Sequence, residues 1–532
     1  MFRRTALLAA SSMAALLLGS ASAVAAPTCK TPVAKDGHEP VCNPYQASDW
    51  AVPHRNSYEQ DSTPYQGPKT AKGMTLASMK TLDGALPFVQ FSPKYPNGES
   101  VGWFSMTGNP DAERVGKVNT ATNGLIDLFN VPLPGLATPS GAYNVLSYKN
   151  ELIVGKGLDV NVYADAVAGN PGSGVSKIHT FKLPENGRCG PDDRLIGIIF
   201  MWNGQIAYAT AFGTVGVFPV DVDKMSPENV KATTVTDRGT CTEGNPDREE
   251  VSNSIAADEK GAIYTVTSQA QYKHTFNGSE VKQAWRVKVP TDGLQGGIRI
   301  GPGSGSSPTL MGTSKDDDKL VVITDGRKVM NYMVMWRDSI PKGWKSPVKG
   351  LSNRVACYLK VDFGNSKIKE AQSEQSVAVR GNSGFVVNNS IKDPGKFAPL
   401  PGSLRYQAAT LASGDPDMQA FGVERIDWDP KKNKCRTVWG NQKYSIPNAI
   451  PTISSGSNMV YGIGARKGVW GLEGLDFDTG KSKVWFPAGE GSSHNSFYAQ
   501  TEIATDGTVW TGVFGGIDRY KPATPAPALK LK

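Results

Sequence analysis

The chain has 532 residues, with 57 Lys and Arg against 49 Asp and Glu, and a formal net charge of +8. This excess is mild and no basic run is interleaved with aromatic residues, so a nucleic-acid-binding function is excluded. The 58 glycines and 36 prolines predict an all-β protein that is rich in turns.

The first 25 residues have the pattern of a secretory signal peptide. Two arginines near the N-terminus precede an apolar run over residues 6–18, and small residues follow. This order predicts export, with cleavage after Ala23 or Ala25. The apolar run is shorter than the roughly 20 residues that span a bilayer, and no later segment comes close. We therefore expect a soluble periplasmic or secreted protein without a transmembrane anchor.

Six cysteines follow the signal peptide. In an oxidising compartment an even number predicts three disulfides, and sequence proximity favours one of fifteen connectivities. The favoured pairs are Cys29–Cys42, Cys189–Cys241 and Cys357–Cys435. Because the sequence contains no CxxC or CxxCH pattern, we do not expect structural zinc, covalently bound haem or thiol catalysis.

Residues 26–84 contain no convincing hairpin pattern and are rich in Pro, Ser, Thr and Gln. We expect them to form an extended N-terminal arm that wraps the rest of the protein and is tied by Cys29–Cys42. Residues 85–532 are then one large domain.

A hairpin pattern recurs through this domain. Alternating apolar residues flank a polar turn, often with Asn-Gly, Asp-Gly or Lys-Gly at the corner. It occurs at 87–105, 143–157, 195–211, 253–268, 307–325, 376–390, 449–464 and 498–513. A second hairpin follows several of the first ones, at 117–129, 359–371, 425–439 and 474–486. Two hairpins make a four-stranded sheet, and eight such sheets stacked around an axis make a β-propeller.

The outer strand of the eighth blade has two candidate sources. The tail from Pro522 is one of them, and the N-terminal arm is the other.

The segment Leu475–Lys481, with sequence LDFDTGK and followed by Trp485, resembles the repeat of the quinoprotein-dehydrogenase-like eight-bladed propellers. Residues 425–439 are a looser copy. The resemblance implies the same fold. The enzymes of that group have an adjacent cysteine pair and a haem motif, which this sequence lacks, and only two blades carry the terminal Trp. We therefore expect no haem, the departures argue against pyrroloquinoline quinone, and a quinoprotein dehydrogenase is kept as a third alternative.

In a four-stranded blade, the loops that lead into the first strands and those that join the second and third strands share one face. We expect three long loops between second and third strands, at 267–283, 324–357 and 388–420. Long loops on a rigid scaffold often carry binding residues. Cys189 and Cys241 lie in the loops that lead into the first strands of blades 3 and 4. A disulfide between them would either stabilise these loops or organise a binding site.

Polar residues begin the first strands of successive blades, so we expect them at the mouth of the central channel. The set is Asn144, Asp193, Arg194, Glu250, Asn253, Ser307, Asn448 and Asn495. Carboxylate and amide oxygens suit Ca²⁺, and we assign Glu250 and Asn253 as cation ligands. Asn144, Arg194, Asn448 and Asn495 are assigned to ligand binding, with Arg194 contacting an anion. A hydrated channel mouth is the alternative.

His494 lies in a Gly- and Ser-rich loop that leads into the first strand of the eighth blade, and we assign it to proton transfer. His274, in the interval taken as a blade 4 loop, is a weaker candidate. An exposed, inert histidine is the alternative for both.

The sequence thus favours an exported propeller enzyme that acts on a small or medium organic substrate, hydrolytically or oxidatively. The alternative is a non-catalytic module that binds a ligand, a glycan or a protein.

Overall fold

The computed structural model describes residues 28–33, 36–80, 84–85, 88–107, 112–132, 142–184, 193–235, 245, 248–293, 301, 303–400 and 402–531. These residues form eight antiparallel four-stranded blades around a central axis, seven of them made of four consecutive strands. The short strand Ser62–Thr63 pairs in parallel with the first strand of one blade. The predicted eight-bladed β-propeller is therefore confirmed. The signal-peptide prediction, Cys189 and Cys241 lie outside the described residues.

The strands of each blade are given from the axis outwards. Blade 1 contains Val89–Phe91, Val101–Ser105, Ala112–Asn119 and Leu125–Pro132. Blade 2 contains Asn144–Leu146, Leu152–Lys156, Asp159–Asp165 and Val175–Lys182. Blade 3 contains Leu195–Phe200, Gln205–Thr210, Thr214–Pro219 and Lys231–Thr234. Blade 4 contains Ala256–Ala257, Ala262–Val266, Ala270–Phe276 and Val281–Lys288.

The second half of the ring follows the same plan. Blade 5 contains Thr309–Met311, Leu320–Thr324, Asn331–Trp336 and Val355–Lys360. Blade 6 contains Ala378–Arg380, Ser383–Val387, Val423–Asp429 and Lys434–Asn441. Blade 7 contains Thr452–Ser454, Met459–Arg466, Val469–Asp476 and Ser482–Glu490. Blade 8 contains Thr501–Ile503, Val509–Val513, Gly516–Lys521 and Thr75–Met79.

A few elements lie outside the blades. They are the short strand Ser62–Thr63, the α-helix Gly402–Ala412, and the 3₁₀ turns Val222–Lys224, Pro227–Asn229, Pro394–Phe397 and Ser492–His494.

The apolar core lies between neighbouring blades, where the sheets pack face to face. Close approach is made possible by small residues: a Cβ atom on Gly155 of blade 2 would lie 2.7 Å from the Leu195 side chain of blade 3. Each blade alone would expose an apolar face, so the blades stabilise one another around the ring.

The ring is closed by the N-terminal part of the chain. Thr75–Met79 pairs antiparallel with Gly516–Lys521 and is the outermost strand of blade 8. Of the two sources that the sequence left open for this strand, the structure contains the N-terminal one. The ends of the propeller are thereby held together by main-chain hydrogen bonds between residues more than 400 positions apart.

Residues 50–63, which we call the axial segment, lie inside the propeller. All of them are buried. Main-chain carbonyl oxygens of the segment, the Ser57 hydroxyl group and the Trp50 indole together contact the first strand of every blade. The bonds are Phe91 N to Trp50 O (2.7 Å), Leu146 N to Ala51 O (2.7 Å), Ser57 Oγ to Phe200 O (2.7 Å), Ala257 N to Ser57 O (2.7 Å), Leu310 N to Tyr58 O (2.9 Å), Val379 N to Gln60 O (2.7 Å), Ile453 N to Asp61 O (2.8 Å) and Trp50 Nε1 to Ile503 O (2.8 Å). The axial segment therefore fills the channel near the ends of the first strands.

We call the face where the first strands begin the upper face, and the opposite one the lower face. Because strands alternate in direction, loops between second and third strands lie on the upper face. The predicted long loop at 388–420 is confirmed there: residues 388–422 join the second and third strands of blade 6 and include the helix Gly402–Ala412.

Two other loop predictions are wrong. Most of 267–283 is strand, since Ala270–Phe276 is the third strand of blade 4 and continues the alternation of buried residues. Within 324–357, Asn331–Trp336 is a strand, so the long excursion at 337–354 joins the third and fourth strands of blade 5 and lies on the lower face. The sequence pattern does not reveal these two third strands because only the short turns 267–269 and 325–330 separate them from the second strands.

Two of the three expected disulfides are present in the described residues, Cys29–Cys42 and Cys357–Cys435. The second disulfide joins the outer strands of blades 5 and 6, and its two cysteines are 78 positions apart in sequence.

Removing this second disulfide is expected to destabilise the propeller, because the reduced unfolded chain gains the entropy of an open loop. The double substitution Cys357→Ala and Cys435→Ala should lower the free energy of unfolding by about 2–4 kcal/mol. Urea unfolding followed by tryptophan fluorescence measures the loss. The matched control is the Cys29–Cys42 pair, which spans 13 residues and should give a smaller loss; a larger loss there would contradict the prediction.

Candidate functional site

The axial segment adopts an unusual backbone conformation. His54, Arg55, Glu59 and Asp61 have φ values of 56°, 75°, 59° and 48°, in the left-handed region that non-glycine residues rarely adopt. Such conformations persist only where surrounding contacts enforce them, and they concentrate at functional sites. Here the first strands of the eight blades supply those contacts.

Three of these side chains meet on the axis and form what we call the axial cluster: His54, Glu59 and Asp61. His54 Nδ1 lies 2.7 Å from Asp61 Oδ2, and His54 Nε2 lies 3.2 Å from Glu59 Oε2. All three side chains are at most 1% exposed. The cluster therefore joins one imidazole to two carboxyl groups away from bulk water.

The imidazole also contacts a residue of the propeller itself. Ser307, just before the first strand of blade 5, has its Oγ 3.2 Å from His54 Nε2. With Asp61 on Nδ1 and Ser307 on Nε2, His54 lies between a carboxylate and a hydroxyl group. Its position is fixed further because its main-chain N–H donates to the Gln500 side chain of blade 8.

Aromatic rings border the axial cluster on one side. The Phe88 and Tyr143 rings lie 6.1 and 6.5 Å from the His54 ring, centroid to centroid, and 5.3 Å from each other. Burial raises the pKa of the Tyr143 phenol, and the Ser254 main chain and the Ser307 side chain are close enough to oppose this. The imidazole thus has an apolar wall beside its polar contacts.

Burial controls the ionisation of the carboxyl groups. It raises the pKa of Glu59 well above its usual range, and the Asp61 charge raises that pKa further. Burial also raises the pKa of Asp61, although the neighbouring His54 opposes this. Glu59 is therefore the member of the pair that more readily stays protonated, and Asp61 is the one that bonds the imidazole.

The upper end of the channel is crossed by the helix Gly402–Ala412. Asn448 and Asn495 donate to the Thr410 carbonyl at 3.1 and 2.9 Å, and Asn448 Nδ2 lies 2.6 Å from Asn495 Oδ1. These asparagines precede blades 7 and 8. The structure therefore brings two sequence-predicted ligand-binding residues together, with their amides holding the last turn of the helix.

Arg194, which precedes blade 3, acts electrostatically on the middle of the same helix. Burial raises the pKa of Tyr406, while a side-chain hydrogen bond with Gln407 and the charge of Arg194 oppose this. Arg194, Asn448 and Asn495 are thus all near this helix, and their assignment to ligand binding stays a prediction.

The remaining predicted residues of the mouth have local partners. Asn144 is buried, and its Nδ2 donates to Ser105 Oγ at 2.7 Å. Glu250 Oε1 lies 2.6 Å from Arg248 Nη2, with the carboxylate 40% exposed. Asn253 Nδ2 donates to Ser252 Oγ, and Asp193 accepts from Thr210 Oγ1. The role of Glu250 and Asn253 as cation ligands stays a prediction.

Two histidines singled out in the sequence lie away from the axial cluster. His494 Nδ1 is 2.7 Å from Asp518 in the third strand of blade 8, beside Lys80. Burial disfavours the Asp518 charge, but His494 and Lys80 outweigh it and lower the pKa of Asp518. His274 lies in a strand and not in a loop, and burial lowers its pKa to about 4.

In the described parts of the chain, no group of three or more His, Cys, Asp or Glu side chains is arranged to hold a metal ion. No helix there is long and apolar enough to cross a membrane. Pyrroloquinoline quinone is a tricarboxylate, and the axial cluster presents carboxyl groups instead of cations. The described residues of the axial cluster therefore do not fit that cofactor.

A cavity of about 200 Å³ lies near the N-terminal arm, lined by residues that include Cys29, Glu39, Cys42, Arg55 and Trp202. Arg55 Nη2 lies 2.6 Å from Glu39 Oε2 here, and its Nη1 donates to the Ser62 carbonyl at 2.6 Å. This ion pair anchors the axial segment from the outside.

Sequence reasoning missed His54, Glu59 and Asp61 because they lie in a stretch without strand or helix periodicity. The one available signal was the close spacing of titratable residues. An imidazole and two carboxyl groups occur within eight residues, in the sequence HRNSYEQD at 54–61. Ser307 was found, as a residue that begins a first strand.

No family model matches this sequence. The fold is similar to those of two solved structures: a europium-containing methanol dehydrogenase (TM-score 0.54, 11% identity, 87% of this chain and 89% of that one) and the quinohemoprotein alcohol dehydrogenase from Comamonas testosteroni (TM-score 0.52, 11% identity, 90% and 81%). At this identity the likeness shows the fold alone. The protein is thus an eight-bladed β-propeller whose fold resembles that of these two dehydrogenases.

A protein of Archaeoglobus fulgidus described as uncharacterized is 37% identical to this chain over 493 residues, which are 90% of this chain and 89% of the archaeal one. The chain belongs to the same protein family as this archaeal protein.

Glu502, a buried residue in the first strand of blade 8, accepts a hydrogen bond from the Val89 main chain and allows a test of a raised carboxyl pKa. Burial raises its pKa well above the usual value near 4.5, so the folded state keeps a proton that the unfolded state releases as pH rises. Its contribution to stability is therefore present at low pH and is lost upward from about pH 4.5. As pH rises above about 4.5, the free energy of unfolding of Glu502→Gln should therefore increase relative to that of the wild type. The increase should be about 1.4 kcal/mol per pH unit and should stop when the pH reaches the folded-state pKa.

Urea unfolding at pH 4.5, 6 and 7.5 measures this difference. The exposed Glu490→Gln is the matched control and should show no trend. A constant difference between Glu502→Gln and wild type across these pH values would contradict a raised pKa.

Proposed function

We propose that the protein is an exported propeller enzyme that binds a small organic molecule in the axial channel and acts on it by proton transfer at His54. The observation that carries this proposal is the contact of His54 with Asp61 through Nδ1, and with Ser307 and Glu59 through Nε2.

The chemistry of this arrangement supports a general base. A carboxylate on Nδ1 holds the proton on that nitrogen, so Nε2, which contacts Ser307 Oγ, is left as the proton acceptor. The same carboxylate stabilises the imidazolium that forms after proton transfer. Asp61 is therefore a positioning residue, and His54 is the group that exchanges the proton.

The mechanical setting also supports a functional site. Four left-handed residues in an eight-residue stretch carry a conformational cost of order 1–3 kcal/mol each. The first strands of blades 3 to 7 hold this stretch, so its side chains are fixed before any ligand arrives. Such preorganisation is what a catalytic group requires.

The proposed ligand approaches from the upper face, because the axial segment fills the channel near the lower ends of the first strands. Arg194, Asn448 and Asn495, near the helix Gly402–Ala412, are proposed to contact it there. The proposed Ca²⁺ site at Glu250 and Asn253 is a separate proposal, tested by metal analysis of the purified protein. Export is supported by the signal-peptide pattern and by the two disulfides.

The test is turnover of a panel of p-nitrophenyl esters, lactones and primary alcohols with an electron acceptor. His54→Gln should lower kcat/KM by about 10²–10⁴-fold, the usual contribution of a general base. The matched control is His179→Gln, a histidine on the outer strand of blade 2 whose Nε2 contacts the Met225 carbonyl. Thermal unfolding checks that both variants fold.

His494→Gln tests the sequence-based assignment. Loss of turnover in this variant, with His54→Gln unaffected, would place the chemistry at the rim of blade 8 and overturn the axial proposal. Absence of turnover by the wild type across the panel would contradict an enzyme and favour the non-catalytic binding module.

A further inference from the structure

Ser307 is the one hydroxyl-bearing side chain that the described structure places on His54 Nε2. Its Oγ is 3.2 Å from that nitrogen, while His54 Nδ1 is 2.7 Å from Asp61 Oδ2. Ser307 comes from blade 5, and His54 and Asp61 come from the axial segment, so the three meet only in the assembled propeller. The order serine, imidazole, carboxylate is that of a nucleophilic triad, which is recognised by geometry and not by position in sequence.

We propose that Ser307 is a catalytic nucleophile and that the substrate is a carboxylic ester, open-chain or cyclic; this deepens the proposed function and rests on it. The inference is carried by the two contacts of His54 and by the burial of all three side chains, which are at most 1% exposed.

The reaction balances with water as the second substrate. Ser307 Oγ attacks the ester carbonyl carbon while its proton passes to His54 Nε2. The tetrahedral intermediate collapses, the C–O bond to the alcohol breaks, and His54 returns the proton to the leaving oxygen. Water then attacks the acyl-Ser307 ester with His54 again as base, which releases the carboxylic acid and restores the Ser307 hydroxyl.

Neighbouring groups suit these steps. Burial raises the pKa of the Tyr143 phenol more strongly than the nearby Ser307 side chain lowers it, so Tyr143 is a proton donor beside the reacting oxygen. Glu59 Oε2 lies 3.2 Å from Nε2, and burial raises the pKa of this carboxyl group well above its usual range, which disfavours a second negative charge there. The Phe88 and Tyr143 rings form an apolar wall beside the His54 ring.

Covalent labelling tests the nucleophile without knowledge of the natural substrate. An alkyl fluorophosphonate reacts when the serine oxygen attacks phosphorus, fluoride leaves, and the serine proton passes to the base. We expect one adduct per folded wild-type chain, on the peptide containing Ser307, by intact mass and peptide mass spectrometry. Ser307→Ala should abolish the adduct, and His54→Gln should slow it by about 10²-fold or more.

Ser306→Ala is the matched control, since this buried neighbour bonds Thr324 Oγ1 and the Gln375 carbonyl. It should be labelled at the wild-type rate within a few-fold, with circular dichroism confirming the fold. Absence of an adduct on Ser307 in the wild type, while chymotrypsin in the same tube is fully labelled, would overturn the proposal. Equal labelling rates in wild type and His54→Gln would also overturn it.

Turnover separates this inference from the function on which it rests. Loss of ester hydrolysis by about 10³-fold in both Ser307→Ala and His54→Gln supports the triad. Loss in His54→Gln with full activity in Ser307→Ala overturns the nucleophile and leaves proton transfer at His54 in place. Full activity in both variants overturns the proposed function itself.

Discussion

The structure depends on how the inner edges of eight first strands are satisfied. A blade pairs its first strand on one side only, so each ring of blades turns unpaired main-chain groups toward the axis. In this protein the axial segment supplies the missing partners: carbonyls from Trp50 to Asp61 accept N–H groups from six blades, and side chains reach the other two. One continuous piece of chain thus organises the whole ring from within.

This constraint has a chemical consequence. To meet blade after blade around a narrow axis, the axial segment turns tightly, and His54, Arg55, Glu59 and Asp61 take up left-handed conformations. The same turning directs an imidazole and two carboxyl groups to one point beside Ser307. Structural closure and a preorganised polar cluster are therefore two results of one arrangement. The upper end is crossed separately, by the blade 6 helix held on Asn448 and Asn495.

The fold was largely predictable because hairpin alternation and turn residues are local signals. They give the blade number, and they identify blade 6 despite the long loop within it. The same signals failed at Ala270–Phe276 and Asn331–Trp336, where short turns hid strands and moved a long excursion to the wrong face. The site was less predictable. Ser307, Asn448 and Asn495 could be predicted because they stand where first strands begin. His54 and Asp61 could not, because their segment has neither strand nor helix periodicity.

By itself the sequence determined an all-β chain of eight four-stranded units and the pairings Cys29–Cys42 and Cys357–Cys435, because alternation, turn chemistry and sequence proximity act over short distances. Only the tertiary structure decided that Thr75–Met79 closes blade 8, that residues 50–63 fill the channel, and that His54 meets Ser307. The contact of His54 with Ser307 joins residues 253 positions apart, and that of Trp50 with Ile503 joins residues 453 positions apart. Nothing in local propensity encodes them, since they arise only when eight blades have closed into a ring that leaves unpaired strand edges on its axis.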